Sequence, residues 1–246
     1  MVSAWATTNL VSLGQLATDE KSNEITAIPK LLEIIEVAGA LITIDALGCQ
    51  TEIAAKIVDQ GADYCLAVKG NQPTLFEGIK TFFEDHLADN FARQPVRFSE
   101  TNEKGHGRLD HRQYYICPLP QDLPDQARWK GLAAIGMTTN TTTRAGEESF
   151  QVRYDILSKF VSGSRFGEAV RSHWSIENQL HWQLDVTFQE DQSRLRMRKA
   201  DENFSVLRRT ALSLLKNEKT SGVGVKNRRL RAGYSDDYLE KVVFGQ

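Results

Sequence analysis

The densest group of chemically capable side chains is His173-Trp174-Ser175-Ile176-Glu177-Asn178-Gln179-Leu180-His181-Trp182. On a helix, Trp174, Glu177 and His181 share one face. Asp185 lies at i+8 from Glu177, and Glu190 and Asp191 follow. A carboxylate on a tryptophan-bearing face is either a ligand or an acid paired with Arg171 or Arg194. A second acid, Asp45, closes the apolar run Ala40-Leu41-Ile42-Thr43-Ile44. Open α/β sheets collect ligands at the carboxyl ends of their strands. A charge at the edge of an apolar strand needs a reason, because desolvating it is costly. The plain alternative for Asp45 is a helix cap or a solvated loop acid. Lys69-Gly70-Asn71-Gln72 follows the second apolar run and belongs on the same sheet edge. There Lys69 can reach a phosphate, and Asn71 or Gln72 a base or backbone oxygen. A simple Gly-Asn turn accounts for the segment equally well.

Other chemistries lack their residues. His106 and His111, or His173 and His181, miss the i, i+4 spacing that sets two imidazoles on one helical face. Cys49, Cys65 and Cys117 form no Cys-x-x-Cys pair, which argues against structural zinc and against a disulfide framework. Carboxylates without soft ligands favour Mg²⁺ or Mn²⁺. The chain holds no Walker A loop, no Gly-x-Gly-x-x-Gly and no Gly-x-Ser-x-Gly elbow. Paired carboxylates also hydrolyse glycosides. The aromatic residues nearest to a sugar platform, Trp174 and Trp182, read as core.

The positioning elements follow from periodicity. Residues 2–7 and 11–18 form a strand pair with Asn9 in the turn. A helix capped by Ser22 or Asn23 runs to about residue 37, with Ile25, Ile28, Leu32 and Ile35 at helical spacing. Residues 40–46 and 64–69 read as strands buried on both faces, joined by a helix at 51–60. That alternation predicts a parallel α/β sheet. A helix follows over 73–86. Residues 93–154 change character and predict a β-rich insertion, with strand pieces at 112–116, 132–138 and 150–154. Helices over 166–186 and 200–216 precede about thirty partly irregular residues. The expected segments are 1–90, 91–160 and 161–246.

The chain has 246 residues, 41% hydrophobic and 25% charged, with a net charge of −2. Twelve basic and three acidic residues between Gln192 and Arg231 give that stretch +9, leaving −11 elsewhere. Such asymmetry permits a polyanionic partner on one face; a solvated basic helix and tail is the alternative. No run reaches the roughly 18 apolar residues of a membrane span, and no signal peptide opens the chain. The sparse cysteines suit the reducing cytoplasm.

These residues resemble a known family. The blocks are Val2-Ser3-Ala4-Trp5-Ala6, Asp19-Glu20-Lys21-Ser22-Asn23-Glu24-Ile25-Thr26-Ala27-Ile28-Pro29, Ile44-Asp45-Ala46-Leu47-Gly48-Cys49-Gln50 and Lys69-Gly70-Asn71-Gln72. His106-Gly107-Arg108, Arg171-Ser172-His173-Trp174-Ser175-Ile176-Glu177-Asn178, Leu180-His181-Trp182, Leu184-Asp185-Val186-Thr187-Phe188 and Glu190-Asp191 complete the set. Together, and in this order, they resemble the DDE-type insertion-sequence transposases that include the H-repeat-associated proteins.

The resemblance implies a ribonuclease-H-like core with a β-rich insertion and a basic helical C-terminal region. It implies two-metal phosphoryl transfer with Mg²⁺ or Mn²⁺, Asp45 as the second acid, Glu177 as the third, and Asp185 as a lesser metal candidate. The DNA of insertion-sequence ends would be the partner, met by Lys69, Asn71, Gln72, Arg194, Arg196, Arg198, Lys199, Arg208 and Arg209. A homo-oligomer or a full-length transposase is a further partner, and no membrane is. The family's first aspartate stands in an Asp-Gly-Lys block on the strand before residue 2. The expectation is therefore a truncated, inactive transposase with its first strand missing. The alternative is a non-catalytic DNA-binding remnant that modulates the full-length enzyme. Related transposases carry Tyr, Arg and Lys around the third acid; Val170, His173 and Leu184 stand here and receive no role.

Overall fold

The structure is a computed structural model, and it describes residues 1–18, 24–105, 107–195 and 199–245. In chain order come β1 (Val2–Ala6), β2 (Val11–Leu16), α1 (Glu24–Ile34), β3 (Leu41–Ile44), α2 (Thr51–Asp59), β4 (Asp63–Val68) and α3 (Pro73–Ala88). Four long strands follow: β5 (Arg97–Gly105), β6 (Arg108–Pro118), β7 (Ala134–Arg144) and β8 (Glu147–Leu157). The last helices are α4 (Gly163–Ile176), α5 (Ala200–Asn217), α6 (Val225–Tyr234) and α7 (Asp236–Phe244). The chain divides into two compact units, Ser22–His173, and Met1–Lys21 together with Trp174–Gln246.

The unit Ser22–His173 is built on one six-stranded sheet of order β3-β4-β8-β7-β6-β5. Only β3 and β4 are parallel; β8 joins β4 antiparallel, with Cys65 opposite Leu157 and Val68 opposite Tyr154. The expected parallel sheet is thus a mixed one. The β-rich residues 97–157 extend that same sheet rather than forming a separate body, because β8 returns to pair with β4. β4 is buried as its apolar run predicts. Tyr64, Leu66 and Val68 face the core under α1, α2 and α3, and Cys65 faces α4. β3 differs from expectation. Its four residues are only partly buried, since among the described residues it is the last strand of the sheet, paired on one edge alone. Side chains on an edge strand keep partial access to solvent.

Local sequence explains the helices that cover the sheet. α2 buries Ile53, Ala54 and Ile57 on one face, and Gly61 turns the chain with φ +72°. α3 opens with Pro73 in its first turn and buries Leu75, Ile79 and Phe83 at i, i+4 and i+8. On the opposite face α4 comes unusually close. A Cβ on Gly136 would overlap the Phe166 ring, and one on Gly167 would lie 2.9 Å from Tyr114.

In the other unit, β1 and β2 form the expected hairpin, with a bulge at Ala4/Trp5. Leu10 rather than Asn9 takes the left-handed conformation in the turn, at φ +55°. Trp5 packs with Leu180, Leu184 and Leu212, so the hairpin sits on α5. The last thirty residues are partly irregular, as expected, over 218–224, and are otherwise helical: Val225 and Ala232 on α6 and Tyr238 and Val242 on α7 join Leu215 in a small core. The proposed caps Ser22 and Asn23 lie outside the described residues. No helix among the described residues is long and apolar enough to cross a membrane.

Three polar atoms lie buried under α4 without a hydrogen-bond partner among the described residues: the Tyr114 hydroxyl, Thr138 Oγ1 and Asp155 Oδ2. Tyr114 stands opposite Thr138, and Asp155 opposite Gly136, so all three point to one face. Burial pushes the Asp155 carboxyl up from 3.8 to about 7, with Arg153 pulling weakly the other way. The folded protein therefore holds this proton over a range in which the unfolded chain releases it. The associated stability is full below pH 3.8 and is lost as pH rises through about 7, by roughly 1.4 kcal/mol for each pH unit between. Urea titrations should show wild type weakening relative to Asp155→Asn from pH 4 to pH 7.5. Parallel curves for the two proteins would refute a buried neutral carboxyl.

Candidate active site

Asp45 follows β3 immediately and is exposed. Its Oδ1 accepts hydrogen bonds from the Leu47 N–H at 3.1 Å and the Gly48 N–H at 3.4 Å, capping the short 3₁₀ turn Ala46–Gly48. The turn after β4 reaches the same place. The Asn71 side-chain amide donates to the Ala46 carbonyl at 2.6 Å, and that of Gln72 to the Cys49 carbonyl at 3.0 Å. The two loops that sequence places on one sheet edge are thus strapped together. These amide donors are engaged by backbone carbonyls, which leaves exposed Lys69 as the cation of the edge.

Glu177 lies where the helix changes pitch. α4 ends at Ile176, and Glu177–His181 and Gln183–Thr187 are π-helical. The Trp182 N–H donates to the Glu177 carbonyl, five residues back, and Phe188 donates to Gln183 at 3.2 Å. The expected single α-helix over 166–186 is therefore replaced by a rarer geometry that often marks functional positions. Leu180 and Leu184 anchor the segment against Leu212 and Trp5. Lys216, itself buried, donates to Gln179 Oε1. Glu177 is exposed. The pairing with Arg171 that the sequence offered does not occur: Arg171 binds Glu103. Trp174 and Trp182 are 43% and 52% exposed, against the expectation of core residues.

Asp185 is exposed too. Burial of its carboxyl, then Asp191 and Glu190, raises its pKa, against His181 and Arg209. Glu190 turns inward to the Ser205 hydroxyl at 2.7 Å and to Arg209 at 3.1 Å. Arg209, expected on phosphate, is only 6% exposed and serves this internal ion pair. Arg208 lies 3.8 Å from Glu190 and stacks on the Phe204 ring. Arg194 and Lys199 are exposed; Arg196 and Arg198 lie outside the described residues.

The family model described as "Transposase DDE domain" matches residues 1–214. The chain belongs to that family. It is 38% identical over 250 residues to "H repeat-associated putative transposase YhhI" of Escherichia coli K12, covering all of this chain and 65% of that protein. It is 40% identical over 247 residues to "Putative transposase YncI" of Escherichia coli O157:H7, covering 99% of this chain and 63% of that protein. The chain therefore spans a little under two thirds of the length of these relatives.

DDE transposase domains generally use divalent metal ions. Among the described residues no three His, Cys, Asp or Glu side chains gather to hold one. Asp45 belongs to one unit and Glu177 to the other. Each nevertheless suits a hard cation by itself. Asp45 keeps Oδ2 clear of the cap, Glu177 presents its carboxylate to solvent, and Mg²⁺ takes one or two carboxylates while keeping waters. The cap lets structure be separated from charge at Asp45. Asp45→Ala should cost about 1 kcal/mol in urea unfolding, whereas Asp45→Asn, which keeps the acceptor, should cost much less. Equal losses would show that the capping bonds contribute nothing.

Proposed function

We propose that this chain is the catalytic part of a DNA transposase that cleaves and transfers strands at insertion-sequence ends. What supports the reading is that Asp45 and Glu177, which the sequence resemblance implies as metal-holding acids, are both exposed carboxylates. This reading expects a ribonuclease-H-like core with a β-rich insertion, and the parallel pair β3–β4 within the unit Ser22–His173 is compatible with it. Asp45 and Glu177 would hold Mg²⁺ or Mn²⁺, with Asp185 a lesser contributor; the ions supply an activated oxygen nucleophile and stabilise the leaving oxygen. Lys69, Arg194 and Lys199 engage phosphates from exposed positions and orient the DNA without reading its sequence. The work belongs in the cytoplasm, where buried Cys49, Cys65 and Cys117 stay reduced.

The 246 residues contain no Asp-Gly-Lys block, so this reading assigns no first acid within them. Taken alone, the chain is expected to bind element-end DNA and leave it uncut. Filter binding should weaken steeply with salt, and Arg194→Ala and Lys199→Ala should each lower the log–log slope by about 1. A flat salt dependence would refute the DNA interface. Mg²⁺-dependent nicking that Glu177→Gln abolishes would show instead that a complete site lies within these residues.

A further inference from the structure

Within the unit Ser22–His173, the loop between β6 and β7 closes on α3 and leaves a groove of about 730 Å³. Gly78 permits the close approach, since a Cβ there would lie 2.7 Å from Pro124. Phe82, Pro120, Leu123 and Pro124 give the groove its apolar lining. Glu77, Asp85 and Asp122 give it its charge, and no lysine or arginine of the described residues lines it. Glu77 lies 3.8 Å from Lys80, whereas exposed Asp85 and Asp122 form no ion pair among the described residues. A polyanion is excluded from such a groove by charge. A basic protein segment with an apolar centre suits it on both counts.

The other unit carries such a segment. α6 has four cations and no acid. Arg228 and Arg229 are engaged by backbone carbonyls, of Leu215 and Thr187 among others. Lys226, Leu230 and Tyr234 recur every four residues on one exposed face, with exposed Arg231 beside them. Tyr234 is 84% exposed, more than any other large hydrophobic side chain among the described residues, and Leu230 is 44% exposed. An i, i+4 apolar pair on an exposed helix is the anchor pattern of a helix that lies in a groove. DNA would pair the two cations but cover neither Leu230 nor Tyr234 with apolar surface. The α3 groove answers both the charge and the apolar pair. We infer that α6 of one copy docks in the α3 groove of a second copy, with Tyr234 and Leu230 on the apolar lining and Lys226 and Arg231 toward Asp85 and Asp122. The two surfaces differ, so the contact is heterologous and either closes a ring or runs on from copy to copy. It stands whether or not the chain acts on DNA.

The test reads the mass of the whole chain by light scattering, without DNA. Mass should rise with protein concentration at about 0.1 M salt. It should fall toward the monomer near 1 M, as the screening length drops from about 10 Å to about 3 Å. Tyr234→Ala should weaken association about tenfold, as loss of an aromatic anchor does. The double variants Asp85→Lys/Asp122→Lys and Lys226→Glu/Arg231→Glu should each weaken it by more than about tenfold, because like charges then meet. Mixing these two variants should restore association, since each then finds opposite charge on the other; a variant that had failed to fold could not do this. A wild type that stays monomeric at every concentration would overturn the contact. So would charge reversals that leave the mass unchanged, or a mixture that stays apart. An α6 reversal that abolishes filter binding of DNA while leaving self-association intact would assign this helix to DNA instead.

Discussion

The Phe166 ring fills the space a side chain would need at residue 136. That notch is what lets α4 lie close on the sheet, and Gly167 against Tyr114 repeats the arrangement on the neighbouring strand. Larger residues at either glycine would push the helix outward, at a typical overpacking cost of about 1–3 kcal/mol. The same contact dries the face beneath. Tyr114, Thr138 and Asp155 are sealed there, and Leu157, Ile116 and Cys65 form the apolar part of the seam. β8 contributes Asp155 and Leu157 because it pairs with both β4 and β7. One strand thereby joins the parallel pair that ends at Asp45 to the long antiparallel hairpins. Without that junction the β-rich residues would have no reason to share a core with β3 and β4.

Sequence periodicity revealed those elements whose surroundings are uniform. β4 is covered on both faces, so its run of Tyr64, Cys65, Leu66 and Val68 reads directly as a buried strand. α3 meets one surface and shows one stripe. The failures are places where a neighbour matters. The run before Asp45 resembles β4 in composition yet lies at an edge, and no property of Leu41–Ile44 announces which strands flank it. β5 through β8 project beyond the helices, and their outer halves are threonines and charged residues rather than an apolar alternation. The expected pieces 112–116 and 132–138 fell on covered stretches of β6 and β7, whereas 150–154 fell mostly on the exposed half of β8. The π turns at Glu177–His181 and Gln183–Thr187 were invisible for another reason: Leu180 and Leu184 are spaced i, i+4, which an α-helix explains equally well.

Charge counting located the basic stretch without revealing what each cation does. Arg228 donates to the carbonyls of Leu215, Glu218 and Ser221, closing the loop between α5 and α6. Glu218 sits in that loop with its carboxyl held down at about 2, first by the Thr220 hydroxyl and also by the Tyr238 hydroxyl and the N–H groups of Thr220 and Ser221, against the opposing effect of burial. Arg229 donates to the Thr187 carbonyl, and Arg209 to Glu190. Lys216 lies inside, its pKa drawn down to about 8 by burial and by Lys219. Guanidinium groups suit such clamps because one side chain satisfies several carbonyls in fixed directions. A formal +9 therefore does not say which cations can touch a polyanion, and the exposed Arg194, Lys199, Lys219, Lys226 and Arg231 are better placed for that than Arg209 or Lys216.

Two aspartates on the same sheet show why access, and not perturbation alone, selects the chemical group. A strongly shifted carboxyl is ordinarily a good pointer to a functional site, and by that criterion Asp155 would be chosen. Yet Asp155 is 6% exposed, receives no hydrogen bond at Oδ2 among the described residues, and lies beneath a helix that comes close on the sheet. Burial favours its neutral form up to about pH 7, and a neutral carboxyl is a poor cation ligand. Asp45 lies just past the end of its strand, where the chain turns into solvent. Backbone N–H groups fix one of its oxygens and leave the other facing outward. A ligand for a hard cation has to be charged, reachable and already oriented. The strand end supplies all three at Asp45, and the sheet interior supplies none of them at Asp155.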